Sequence, residues 1–226
     1  MRADLGVEIA WVFDIVREAS AHPRGRYYAD YTVGVAIEGK ADGVVAIGLG
    51  GSEVGHPPEW FAPFFGRARA AGLHSAPHAG ETVGPESVWG AIRALGAERI
   101  GHGVRSVEDP ALVEYLAKHR IPLEVCPTSN LRLGVYPDYA SHPLPRLLAA
   151  GVSLTVNSDD PPLFNTTLND EVALLPGPFG LGLGEIDELI LNGMRHSFLP
   201  PQRKEEMAAA FRADLDTLKE SQMAKG

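Results

Sequence analysis

The chain has 226 residues, with 20 lysines and arginines against 29 aspartates and glutamates, a net charge of −9 with neutral histidines. Hydrophobic residues at 45% and charged residues at 22% give the balance of an ordinary globular protein and exclude disorder, collagen and coiled coil. The acidic balance, with no lysine or arginine run to displace counterions, argues against nucleic acid as a partner. Its one cysteine, Cys126, rules out an internal disulfide framework and points to a reducing, cytoplasmic compartment. No apolar run approaches the roughly 20 residues that span a bilayer, so no membrane partner is expected, and charges interrupt the apolar N-terminus, which does not read as a signal peptide.

In chain order, short apolar runs at 7–15, 44–50, 73–78, 99–103, 121–126 and 152–157 are rich in Val, Ile and Leu and bounded by Gly, Pro or Asp. Several lack polar alternation, as parallel strands buried on both faces do. Between them, 60–71, 85–95, 109–119 and 145–149 carry apolar residues at helical spacing and start near Pro, Ser or Asp. Gly72, Gly96 and Gly151 follow three of these helices, as C-terminal glycines do. From Gly184 the tail reads as two more helices broken at Pro200-Pro201. No linker or internal boundary appears, so 1–226 is expected to form one domain.

Alternating strands and helices imply a parallel sheet, either doubly wound or closed as a barrel. The position of the polar residues decides. Gly51-Ser52-Glu53, His78-Ala79-Gly80-Glu81, His102-Gly103, Cys126-Pro127-Thr128-Ser129-Asn130 and Asn157-Ser158-Asp159-Asp160 each follow the apolar part of a strand. A doubly wound sheet builds its site from a few strands at one switch point; a TIM-type (β/α) barrel gathers the C-terminal ends of all of them. The barrel is the better reading. It is incomplete, with about six of the eight strands.

Three segments carry the chemistry. His78 with Glu81 three residues on puts an imidazole and a carboxylate at the rim, a ligand and a proton shuttle. His102 lies between two glycines that let the backbone turn. Asp159 and Asp160 are adjacent carboxylates whose repulsion a metal or a proton donor would relieve. Together they suggest a metal-activated water, with His78 and Asp159 as nitrogen and oxygen donors suited to zinc. No serine elbow, P-loop or GxGxxG is present. Cys126 reads as a buried structural thiol. His22, His56 and His142 precede prolines in loop-like sequence, and His74 lies roughly 13 Å along the strand from His78, too far to share its metal.

The segments HAGE, RIGHG, LEVCPTSN and SDDP, in this order and spacing, resemble the adenosine and adenine deaminase family of metal-dependent hydrolase barrels. The resemblance runs from about residue 7 to residue 200. It implies that His78 and Asp159 ligate zinc, that Glu81 protonates purine N1, and that His102 orients and deprotonates the zinc-bound water. It also implies that Asp160 hydrogen-bonds purine N7 and that the Gly51 N–H meets N3. The implied reaction is hydrolytic loss of the 6-amino group of adenosine or a related adenine nucleoside, with adenine and aminodeoxyfutalosine as alternative substrates.

One departure is expected to matter. The family carries an H-x-H pair on its first barrel strand that supplies two more zinc ligands, and no such pair exists here. The strand at 7–15 resembles the family's third, so the first two βα units are expected to be missing and 1–226 to be the C-terminal three-quarters of the family domain. The chain is then expected to bind zinc poorly alone and to self-associate through open barrel edges. A non-catalytic, purine-binding remnant is the competing reading. Another hydrolase of the same superfamily is disfavoured, because Glu81 and Asp160 have purine-specific roles by the resemblance.

Overall fold

The computed structural model describes residues 9–18 and 24–223. The chain divides into two compact units, Met1–Leu112 and Val113–Gly226. In the first unit, β1 (Trp11–Val16) is followed by α1 (Gly25–Glu38), β2 (Val44–Gly50), α2 (Ala62–Ala70), β3 (His74–Ser75), β4 (His78–Ala79), α3 (Pro85–Gly90) and β5 (Ile100–His102). Strands β1, β2 and β3 are parallel neighbours, with Asp14 beside Gly48 and Ile47 beside Ser75. Strands β4 and β5 pair in parallel, with His78 beside Gly101 and Ala79 beside His102. The first predicted strand is seen from Trp11 onward; its residues 7 and 8 lie outside the described residues.

The core of this unit packs Ile15, Ile47 and Leu49 against Ala29, Val33 and Ala36 of α1 and Phe65 and Ala68 of α2. Helix α1 escapes the sequence reading. Its buried face is Gly25, Ala29, Val33 and Ala36, small residues at helical spacing, while Tyr27, Tyr28 and Tyr31 point outward, and Arg24 offers no side-chain cap. Size and capping, the two strongest helix signals, are both reversed there. The strand expected at 73–78 is divided into β3 and β4. Pro77 sits at the break and has no N–H to give a ladder; its carbonyl accepts from Gly101 N instead. Helix α3 continues as a π-helical turn over Ala91–Leu95 and stops at Gly96, which takes φ 63°.

Helix α4 (Pro110–His119) crosses the division between the units. The second unit holds β6 (Leu123–Val125), α5 (Pro127–Arg132), α6 (Leu144–Ala149), β7 (Leu154–Val156), α7 (Pro161–Phe164), α8 (Leu168–Leu174), α9 (Leu183–Arg195) and α10 (Pro201–Met223). Strands β6 and β7 are parallel, Leu123 beside Leu154 and Val125 beside Val156. Helices α5, α7 and α8 are additions to the sequence reading, which saw a polar strand end over the start of α5 and another just before α7. Prolines at the first turns of α5 and α7 start them without side-chain caps. Thr167 and Asp170 form a capping box on α8. Among the described residues, no helix is long and apolar enough to cross a membrane.

Candidate active site

Strand β4 ends on His78, and the loop after it is held by one side chain. The Glu53 carboxylate, 5% exposed, accepts from the backbone N–H groups of Gly80, Glu81, Thr82 and Val83 at 2.7, 2.9, 2.7 and 3.0 Å, and from the hydroxyls of Ser87 and Thr82 at 2.7 and 3.2 Å. Burial pushes the Glu53 pKa up, but the donors from Val83, Ser87, Thr82 and Gly80 outweigh it and hold the carboxyl below its ordinary range. Gly80 takes φ 71°, and a Cβ there would collide with Val88. On the other side of the loop the fully buried Arg17 donates to the His78 carbonyl at 2.7 Å and to the His56 carbonyl.

The imidazole of His78 faces the Leu49 carbonyl through Nδ1 at 3.2 Å, with Asp14 Oδ2 at 4.0 Å from the same nitrogen. With Nδ1–H donating to that carbonyl, the coordinating lone pair is on Nε2, the tautomer a metal-ligating histidine needs. The His78 and His102 rings lie 5.2 Å apart. His102 is 3% exposed, and its Nδ1 is 3.4 Å from Glu81 Oε1. Burial and then the neighbouring His78 pull its pKa from 6.5 down to about 3, against the opposing charge of Glu53, so the ring is neutral at neutral pH.

Of the glycines around His102, Gly103 turns the backbone as expected, and Gly101 has a further job. His102 itself takes the left-handed φ of 59°, as does Gly103 at 65°. Gly101 is needed for room: a Cβ there would lie 2.7 Å from His78 Cδ2. A non-glycine residue at positive φ costs on the order of 1 kcal/mol and persists where surrounding packing over-determines it. Among the described residues only His102, Arg120, Asp159 and Asn165 do so. Gly51, at the end of β2, has φ 88°, and the Glu18 carboxylate, which accepts from Ser52 N at 2.7 Å, fills the space its side chain would need.

In the second unit Asp159 takes φ 55° after β7, and its Oδ2 accepts from Ser129 Oγ at 2.7 Å. Asp160 is exposed and precedes α7, its carbonyl accepting from Leu163 and Phe164. The polar residues of α5 each brace a different segment. Thr128 N donates to the buried Glu171, Ser129 orients Asp159, and Asn130 Oδ1 meets His142 Nε2 at 3.2 Å. The first unit thus brings His78, Glu81 and His102 together, with Gly51 at the neighbouring strand end. The second sets Asp159 and Asp160 in adjacent positions. Among the other described histidines, His74 pairs with Glu98 at 2.9 Å, His119 stacks on Tyr115, and His142 is buried between Tyr136 and Phe179.

The sequence reading missed Arg17, and it placed Glu53 and Ser129 at strand ends without giving them a role. Only the neighbouring glycine in Gly51-Ser52-Glu53 and the proline in the segment before Ser129 hinted that the backbone there is shaped for a purpose. The donors that remain, a tautomer-fixed imidazole and an oriented carboxylate, fit zinc in kind; alone they fall short of the three protein ligands of catalytic zinc.

A family model described as adenosine deaminase matches residues 4–213. Among curated proteins, the chain is 46% identical over 209 residues to aminodeoxyfutalosine deaminase of Streptomyces avermitilis, covering 92% of this chain and 57% of the relative. It is 45% identical over 166 residues to adenosine deaminase of Serratia proteamaculans, covering 74% of this chain and 50% of that protein. Among solved structures, an amidohydrolase of Burkholderia ambifaria with bound zinc superposes with a TM-score of 0.87 at 27% identity, over 99% of this chain and 61% of that one. The fold is α/β, part of a TIM-type (β/α) barrel. The chain spans about half the length of the curated relatives it matches.

Proposed function

Because the chain belongs to the adenosine deaminase family, we propose that it serves the zinc-dependent hydrolytic removal of the 6-amino group from an adenine nucleoside. The observation that carries this reading is the Glu81 carboxylate 3.4 Å from the buried His102, beside His78, on the strand ends where the family resemblance requires an acid, a base and a ligand. In this reading His78 and Asp159 hold the ion, Gly51 N–H meets purine N3 and Asp160 meets N7. The bound ion would supply a water of lowered pKa.

The protein's own groups then have defined tasks. Glu81 gives a proton to ring N1, which makes C6 electrophilic. His102, neutral at neutral pH, takes a proton from the attacking water as the C6–O bond forms. That proton leaves with the amino group as the C6–N bond breaks, and the proton remaining on the C6 hydroxyl returns to Glu81, releasing ammonia and the 6-oxo purine. His102 and Glu81 are 3% and 16% exposed, so both transfers run out of bulk water.

A second reading of the substrate has its own support. The match to aminodeoxyfutalosine deaminase extends over 92% of the chain, against 74% for the adenosine deaminase at nearly equal identity. Ammonia release with added zinc tests both, using adenosine, adenine and aminodeoxyfutalosine in parallel. The assay is run on the 226-residue chain and on a version extended upstream with an H-x-H segment. Turnover by the extended chain, abolished by Glu81→Gln and His102→Ala, is the expected result. Silence from both chains on all three substrates, with purine binding retained, would replace deamination by the non-catalytic reading.

A further inference from the structure

We propose that Glu53 is a positioning residue: its buried carboxylate gathers the backbone N–H groups of residues 80–83 and thereby fixes the loop from which Glu81 reaches His102. The loop geometry stands on the structure alone. The chemical task of Glu81 rests on the function proposed above.

Four consecutive N–H groups converging on one point form a concave anion site, of the kind that elsewhere cradles a phosphate. Here the occupant is a carboxylate from the turn after β2, 27 to 30 residues earlier in the chain. The two oxygens divide the work. Oε1 accepts from Gly80 N and Ser87 Oγ, both at 2.7 Å. Oε2 accepts from the N–H groups of Glu81, Thr82 and Val83 and from Thr82 Oγ1. The Glu81 N–H is one of the captured donors, so the Cα that carries the rim carboxylate is tied directly to Glu53 at 2.9 Å. Arg17 secures the other end through the His78 carbonyl at 2.7 Å. Residues 78–81 are therefore held at one end by a buried cation and at the other by a buried anion. Both buried charges hold the loop through its backbone.

Glutamine at 53 keeps the shape but places an NH₂ against donors on one side, so half of the cradle faces like against like. Aspartate keeps the charge on a shorter arm. Ser87→Ala removes one donor and leaves carboxylate and loop intact. Amide exchange by NMR on the 226-residue chain, with the imidazole signals of His102, reads the effect. In Glu53→Gln, the amides of 80–83 are expected to exchange at least about tenfold faster, the His102 ring signals to move, and the amides of β2 and α2 to stay within about twofold of wild type. Glu53→Asp is expected to restore part of the protection. Should Glu53→Gln not fold, Ser87→Ala decides, with faster exchange at Gly80 expected to be several-fold. Wild-type exchange at 80–83 in these variants, or acceleration only in step with β2, would overturn the proposal. In a chain that turns over, Glu53→Gln is expected to lower kcat with KM nearly unchanged. Absence of turnover in wild type would count against deamination and leave the exchange result standing.

Discussion

His142 makes the second unit lose stability in acid. The ring is 2% exposed, Nδ1 accepts from Leu144 N at 3.2 Å, and Nε2–H is directed at Asn130 Oδ1 at 3.2 Å. Both nitrogens are thus committed to the neutral tautomer, and burial lowers the pKa from 6.5 to about 4. Above pH 6.5 the ring is neutral in both folded and unfolded chains, and its full contribution is present. As the pH falls below 6.5 the unfolded chain takes up a proton that the folded one refuses, and stability is lost until the folded ring protonates near 4. At about 1.4 kcal/mol per pH unit, the whole interval is worth about 3 kcal/mol. Urea unfolding of wild type and His142→Asn between pH 4.5 and 8 isolates this contribution, because other titrating groups cancel in the difference. The wild-type advantage is expected to shrink steadily below pH 6.5 and to be level above pH 7.5. An advantage that stays constant down to pH 4.5 would refute the buried neutral ring.

Gly101→Ala places a methyl 2.7 Å from His78 Cδ2, and the ring must turn away; the expected cost is about 1–3 kcal/mol of stability, and His78 imidazole signals at wild-type positions by NMR would show the steric argument to be wrong. Ser129→Ala removes the hydroxyl that orients Asp159 at 2.7 Å. On the proposed reading, zinc affinity measured against a competing chelator is expected to drop roughly tenfold or more while the fold loses only about 1 kcal/mol; an unchanged affinity would remove Asp159 from the ligand set. Thr167→Ala abolishes the capping box on α8, for an expected loss of about 1 kcal/mol in thermal or urea unfolding that Thr167→Ser restores.

Motifs with fixed local spacing could be read from the chain. HAGE, GHG and the Asp159-Asp160 pair all follow strands that the apolar runs define, and the alternation of those runs with helices indicates part of a barrel. What escaped depends on partners far along the chain. Glu53 looks like an ordinary turn residue until the loop 27 residues on folds over it. Arg17 ends an apolar strand, where a cation is expected to reach water, yet it is fully buried on two carbonyls. Ser129 is one small polar residue among several until Asp159, 30 residues later, meets it. Helix α1 was hidden because its buried side is alanine and valine and its large aromatic residues face out. Backbone strain was likewise invisible: His102 and Asp159 take a conformation that neither prefers locally, imposed by the strand ends around them.

The depth of Glu53 has a consequence for the solution conditions under which the rim keeps its shape. Mobile ions screen exposed charges over about 8–10 Å near physiological ionic strength but reach buried ones poorly. Surface pairs such as Arg67–Asp30, each side chain 47% exposed, weaken as salt is added. The Glu53 carboxylate, 5% exposed and enclosed by its donors, does not exchange its partners for dissolved cations. The loop that presents Glu81 is therefore expected to hold the same form from dilute buffer to molar salt, and any salt dependence of the site belongs to the arriving ligand rather than to the rim.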